Sequence, residues 1–236
     1  MNEIWNTSLI YTPSLISCCD LCNLEQSVRE IEQSGIGMLH VDILDGHFSP
    51  SMPLGLDTVR QLRGRTDLFF DCHVMVTEQD YFINELLDIG VEQIVFHAES
   101  EPHIDGMLNR IHAAGVKAGV ALKPATPLST VEYVLDKCDT VLLMLINPGY
   151  AFVKGEKQVD YGARKIRELR KMIRERGLAT KIEIDGRVSA ENVRDYGKED
   201  VDLFVVGSTC VRKGHLKEDF DKLHQLRSEI LGGNQK

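Results

Sequence analysis

The chain lacks a surplus of positive charge. Its 27 Lys and Arg stand against 36 Asp and Glu, a formal net charge of −9. Nucleic acids and anionic membranes are met by basic surfaces, so neither is an expected partner. A small anionic ligand stays admissible, because a site can offer backbone N–H groups whatever the global charge. No apolar run approaches the roughly 18 residues that a bilayer-spanning helix needs. The opening Met1-Asn2-Glu3-Ile4-Trp5 has neither the basic nor the apolar region of a signal peptide, and a cytoplasmic location is expected. Six cysteines in 236 residues do not make a disulfide scaffold and read as free thiols. Cys19 and Cys22 form a C-x-x-C, but no second pair follows at zinc-ligand spacing, so ordinary packing at a helix start is the reading. A Ser/Gly-rich linker is missing too, and no G-x-G-x-x-G follows the first strand, which disfavours an open doubly wound sheet.

What is present is alternation. Short β-branched and apolar runs at 38–43, 68–74, 93–96, 117–122, 140–146, 181–184 and 203–206 read as strands, with a weaker one at 9–14. Several are nearly continuous apolar stretches, as a parallel sheet covered on both faces requires. Helical patterns fall between them at 24–34, 56–62, 80–89, 104–114, 128–135, 162–176, 190–196 and 216–230. Gly35, Gly90 and Gly115 each close such a stretch before a strand, the place for a left-handed residue. The basic helix at 163–177 carries Ile166, Leu169, Met172 and Ile173 at helical spacing, so its charges read as a solvated outer face. Eight strand–helix units over 236 residues indicate an α/β fold, a single (β/α)₈ TIM barrel spanning 1–236 as one domain, ordered over about 9–230 with short tails.

In such barrels the active site lies at the C-terminal ends of the strands. The second strand ends His40-Val41-Asp42, the third Asp71-Cys72-His73-Val74-Met75, the seventh Glu183-Ile184-Asp185-Gly186. Alternation puts His40 and Asp42 on one face. Two His and two Asp converging from three strands form a mixed N/O ligand set, suited to one divalent transition metal such as zinc, ferrous iron or manganese. His97 ends the fourth strand and is expected to line the pocket without binding metal. Asn147-Pro148-Gly149-Tyr150, Asp185-Gly186-Arg187 and Gly207-Ser208 close the sixth, seventh and eighth strands, where glycines let backbone N–H groups approach a phosphate.

From Thr12-Pro13-Ser14 to about Ser208 the chain resembles the ribulose-phosphate 3-epimerase family. The resemblance is carried in order by LHVDILDGHFSPS (39–51), DCHVMV (71–76), KPATPL (123–128), MLINPGY (144–150), IEIDG (182–186) and VVGS (205–208). It implies His40, Asp42, His73 and Asp185 as metal ligands, with Asp42 and Asp185 doubling as the two acid/base carboxylates. It implies substrate contacts at Ser14, His73, Met75 and Met144, and a phosphate site around Gly149, Tyr150, Ala151, Gly186, Gly207 and Ser208. Three departures stand out. Leu44 replaces a usual methionine; Tyr150-Ala151-Phe152-Val153-Lys154-Gly155 has lost glycines of the phosphate loop; and Arg187 replaces the second glycine of Asp-Gly-Gly.

The expected activity is 3-epimerisation of a ketose phosphate, by default D-ribulose 5-phosphate to D-xylulose 5-phosphate in pentose phosphate metabolism. Arg187 is expected to touch the phosphate. A six-carbon ketose phosphate such as allulose 6-phosphate is the near alternative, and a metal-free or non-catalytic phosphate-binding barrel the distant one. A homo-oligomer acting on a small-molecule sugar phosphate is expected.

Overall fold

Every strand of this chain is buried on both sides, which only a closed or doubly covered parallel sheet allows. The computed structural model describes residues 3–198 and 200–232, so the outermost parts of the expected tails lie outside the described residues. The strands are Ile10–Pro13 (β1), Met38–Leu44 (β2), Phe69–Met75 (β3), Gln93–His97 (β4), Lys117–Leu122 (β5), Thr140–Met144 (β6), Lys181–Asp185 (β7) and Leu203–Val206 (β8). They pair in parallel in the ring order β1-β8-β7-β6-β5-β4-β3-β2, and a parallel bridge from Ser14 to His40 joins β1 to β2. Around them lie Leu15–Cys18 (α1), Leu24–Gln33 (α2), Leu56–Arg63 (α3), Gln79–Ile89 (α4), Ile104–Ala113 (α5), Gly162–Glu175 (α6), Ala190–Tyr196 (α7) and Leu216–Gly232 (α8). The molecule is a (β/α)₈ barrel. No helix among the described residues is long and apolar enough to cross a membrane.

Local chemistry explains most boundaries. Gly35, Gly90 and Gly115 take φ of +80°, +81° and +78°, so each helix end turns left-handed where a side chain would be strained. In α6 Ile166, Leu169 and Ile173 are buried, Arg164, Arg167 and Arg174 are exposed, and Arg170 is half-buried against Asp202. Lys165 is buried on the same helix. Its ammonium donates to the carbonyls of Lys123 (2.8 Å) and Pro124 (3.0 Å), and burial pushes it down to about 8.

One expected helix is different. Residues 128–135 form two 3₁₀ turns, Leu128–Val131 and Leu135–Lys137, instead of an α-helix. Ser129, Thr130 and Val131 are weak helix formers. Val131, Val134 and Leu135 still bury against the barrel, so the tighter turns satisfy the same apolar contacts. Cys19 and Cys22 lie between α1 and α2 as free thiols, the first buried and the second exposed.

Alternation divides the strand side chains into two populations. Val41, Cys72, Val74, Ile94, Val120, Leu143, Ile184 and Phe204 point outward into the helix layer. Inside, Ile10, Met38, Phe69 and Leu203 form a bottom layer with Ile4 and Trp5 packed beneath. Trp5 stacks on Phe69 with ring centroids 5.8 Å apart, and the ammonium of Lys117 sits 4.4 Å from the indole centroid. Above that floor the interior turns polar, with His40, Asp71, Gln93, Thr140 and Glu183 all fully buried.

Gly119 of β5 shows how full the interior is. A Cβ there would lie 2.9 Å from the Thr140 carbonyl and 3.0 Å from Val95. Gly119→Ala is therefore expected to destabilise the fold by about 1–3 kcal/mol through overpacking. A urea unfolding midpoint equal to that of the parent chain would contradict this account of the core.

Candidate active site

His40 and Asp42 share the inner face of β2, and the register sets Asp42 beside His73 of β3. Asp185 ends β7. The four offer ligand atoms that all lie within 4.8 Å of one another. His40 Nε2 is 3.4 Å from Asp42 Oδ1, and His73 Nδ1 is 3.7 Å from the same oxygen and 3.6 Å from Asp185 Oδ2. Neither nitrogen has a hydrogen-bond partner, although both are buried.

That geometry tests whether the set fits a cation. Ligands about 2.1 Å from one tetrahedral ion stand about 3.4 Å from each other, which is close to the separations seen here. Two imidazole nitrogens free of hydrogen-bond partners and two carboxylate oxygens also match the donors that zinc, ferrous iron or manganese accept. The residues fit the group. A second cluster, His40, Asp71 and Glu183, lies one layer deeper. There His40 Nδ1 is already hydrogen-bonded to Asp71 Oδ2 at 2.6 Å, which leaves no gap for an ion.

The deeper layer supports the upper one. Asp71 accepts from His40 and, at 2.6 Å, from Gln93, whose own carbonyl accepts from the Thr140 hydroxyl at 3.0 Å. An ionised carboxylate only accepts, so His40 donates to Asp71 from Nδ1, and Nε2 is the nitrogen turned upward without a hydrogen-bond partner. Burial, reinforced by the charge of Asp71, pushes the Glu183 carboxyl up. The two upper carboxylates diverge. Burial opposes ionisation of Asp42, yet His40 and His73 outweigh it and hold the group below the usual range. Burial raises Asp185, and the charge of Asp42 adds to the shift. Ser14 donates to Asp42 Oδ2 at 2.9 Å and fixes the plane of that carboxylate.

Above these four side chains a narrow pocket opens at the barrel mouth. Ser14, Asp42, Met75, Met144, Gly149, Ala151, Asp185, Gly186, Arg187, Gly207 and Ser208 line it, with Leu44 and Phe152 from the two altered segments, joined by Ser17, Ser51 and Thr209, to which the sequence assigned no role. His40 and His73 lie at the ligand level, and Tyr150 stands outside the lining. His97 packs behind His73, its Nε2 3.0 Å from the Nε2 of that ring.

The loops at the mouth depend on backbone freedom at two glycines. Gly149 has φ +78°, and a Cβ there would meet Ser49 at 2.6 Å; Gly186 has φ +111°, and a Cβ would meet Ile146 at 2.7 Å. Arg187 also takes a left-handed φ, of +52°, which costs a non-glycine residue about 1–2 kcal/mol. Its guanidinium donates to the carbonyls of Ala151 (3.0 Å) and Val153 (3.1 Å), and so ties the loop after β7 to the loop after β6. Gln158 reinforces this bend by donating to the Gly186 carbonyl at 2.8 Å. The supporting residues were missed because their signal is indirect. Asp71 and Glu183 sit two positions before His73 and Asp185 and so share their faces, but alternation does not tell a candidate ligand from its support.

Comparison with known proteins agrees with this geometry. Residues 10–211 match the Ribulose-phosphate 3 epimerase family. The chloroplastic ribulose-5-phosphate-3-epimerase of Arabidopsis thaliana is 36% identical over 204 residues, 86% of this chain and 71% of that protein. The ribulose-phosphate 3-epimerase of Methanocaldococcus jannaschii is 34% identical over 216 residues, 92% of this chain and 90% of that one. Among solved structures, 3-hexulose-6-phosphate synthase from Salmonella typhimurium shares the fold with a TM-score of 0.69 at 15% identity, over 94% of this chain and 99% of its own. With the sequence match spanning nearly the whole barrel and its loops, this chain belongs to the ribulose-phosphate 3-epimerase family and is a carbohydrate epimerase of the isomerase class.

Proposed function

We propose that the chain inverts C3 of a ketose phosphate, with D-ribulose 5-phosphate and D-xylulose 5-phosphate as the pair. The observation that carries this reading is the convergence of Asp42 and Asp185, from β2 and β7, on the same two bare imidazole nitrogens below the cavity. Inversion beside a carbonyl removes a proton from one face of the carbon and returns one to the other. A single base cannot easily serve both faces of an immobilised substrate, so two opposed carboxylates are the economical answer.

In this scheme one of the pair takes the C3 proton, and the C3–H electrons move into the adjoining carbonyl to give an enediolate. The other carboxyl then delivers its proton to C3 from the opposite face. The two groups thereby exchange protonation states, and the reverse reaction runs with roles swapped. His40, Asp42, His73 and Asp185 would hold one zinc, ferrous iron or manganese ion, which supplies positive charge to stabilise the enediolate. Ser14 keeps Asp42 in plane, while Met75 and Met144 exclude water from the reacting carbon.

The phosphate end is where this chain has its own solution. Nη2 of Arg187 is committed to two loop carbonyls, which leaves other donors of its fork for an anion at the mouth. Backbone N–H groups near Gly186, Gly207 and Ser208 would complete the grip. The Salmonella synthase of the same fold is named for a sugar phosphate, the class of ligand proposed here. Because Ala151, Phe152 and Val153 replace an open glycine loop, a six-carbon ketose phosphate such as allulose 6-phosphate is the second reading.

Turnover in deuterated water across five- and six-carbon ketose phosphates is expected to place deuterium at C3 of the accepted substrate. Asp42→Asn and Asp185→Asn should each lower that exchange by about 10²- to 10⁴-fold. Metal content is to be measured in both variants, and one that keeps its metal and most of its activity removes that residue from the mechanism. The parent protein is expected to carry about one transition-metal equivalent per chain, as a preformed four-ligand site would. Activity that survives strong chelation in metal-free protein would overturn the metal assignment.

Arg187→Ala should raise KM for the phosphorylated sugar by roughly tenfold or more, with a smaller effect on kcat, because the lost contacts act on ground state and transition state alike. Improved activity on ribulose 5-phosphate would mean instead that Arg187 obstructs the phosphate.

A further inference from the structure

His73 can serve as a ligand through Nδ1 only if that nitrogen carries no proton. A neutral imidazole bears its proton on either nitrogen, and the neighbour of one nitrogen decides the state of the other. For His40 the neighbour is a carboxylate, Asp71, in direct contact. His73 has no carboxylate behind it. Its Nε2 faces the Nε2 of His97 at 3.0 Å, and a contact between two such nitrogens works in either direction. On its far side His97 Nδ1 lies 2.8 Å from Glu99 Oε2. The His97 ring is fully buried and packed on Phe48, with centroids 4.7 Å apart.

We propose that Glu99, acting through His97, is the positioning group for His73 and fixes the tautomer in which Nδ1 is bare. The inference rests on the metal reading above. An ionised carboxylate accepts and cannot donate, so His97 carries its proton on Nδ1 and donates it to Glu99. The other nitrogen of neutral His97 then holds a lone pair. The contact between the rings is satisfied only when His73 donates from Nε2. That leaves His73 Nδ1 without a proton, facing Asp42 and Asp185. Glu99 is held for this task by its other oxygen, which accepts from the Lys123 N–H at 2.7 Å and from the Thr126 hydroxyl. The loop after β5 thus orients a ligand on β3 through the end of β4.

Glu99→Gln tests the relay with almost no change of shape. Its amide oxygen is claimed by the Lys123 N–H and the Thr126 hydroxyl, so the NH₂ group faces His97. Each bond in the relay then runs the other way, and His73 receives its proton on Nδ1. Co²⁺ affinity, read by chelator competition, is expected to fall about 10- to 100-fold, with a changed d–d spectrum and an unchanged thermal midpoint of the metal-free protein. Thr126→Val removes one bond to Glu99 but leaves the charge, and is expected to bind Co²⁺ like the parent. Nitrogen-15 spectra of the metal-free parent should show protons on His73 Nε2 and His97 Nδ1. Parent-like Co²⁺ affinity and spectrum in Glu99→Gln, or a proton on His73 Nδ1 in the metal-free parent, would overturn the proposal. A parent chain that binds no Co²⁺ would sink the metal reading, and the nitrogen-15 result would still decide the relay.

Discussion

Two imidazole nitrogens buried in a closed barrel without hydrogen-bond partners are the constraint around which this structure is organised. An unsatisfied buried polar atom costs about 1–3 kcal/mol, so nothing in folding alone favours His40 Nε2 and His73 Nδ1 in their positions. A closed parallel barrel can carry that cost because its core is otherwise saturated with apolar contact. Outward side chains fill the space beneath the helices, and inward ones fill the bottom layer around Met38, Phe69 and Leu203. The polar middle layer then serves as a rigid seat. Asp71, Gln93 and Thr140 form a chain of donors and acceptors in which each group has one role, and the direction of the chain sets the proton on His40.

The ligand level and the cavity mouth obey different rules. The proposed ligands stand on strands, where the pleat and the ladder fix direction to within a small angle, as the proposed proton transfer would need. The mouth is built from loops, whose shape rests on a few local contacts. Gly149 must lie against Ser49, Gly186 against Ile146, and Arg187 bends left-handed to reach two carbonyls across the gap. Strain at a non-glycine residue persists where surrounding contacts overdetermine it, and such places cluster at ligand sites. Reaction type is therefore carried by the part of the protein that tolerates least change. Substrate choice is carried by the part that tolerates most.

Much of this was legible in the residues. Apolar runs at even spacing imply a parallel sheet covered on both faces, and no other arrangement accommodates eight of them with helices between. His40 and Asp42, two positions apart on a strand, could only share a face. The glycines at 35, 90 and 115 announced left-handed helix ends that the backbone adopts. The segment at 128–135 misled because apolar spacing alone does not separate an α-helix from two 3₁₀ turns that bury the same side chains.

What the residues by themselves determined is the barrel and the meeting of two histidines and two aspartates near its mouth, because period-two alternation is a local property of the strand. Only the tertiary structure decided which polar group meets the cavity and which lies behind it. Asp71 and Asp42 are both buried aspartates on inward faces, yet one lies a layer deeper and holds a histidine while the other meets the cavity. That difference is depth along the barrel axis, set by how each strand is staggered against its neighbours. The same holds for the choice of nitrogen. His40 turns Nε2 and His73 turns Nδ1 toward the site because different partners stand behind them, Asp71 in one case and His97 in the other. Those partners come from neighbouring strands, and no single strand's sequence contains that information.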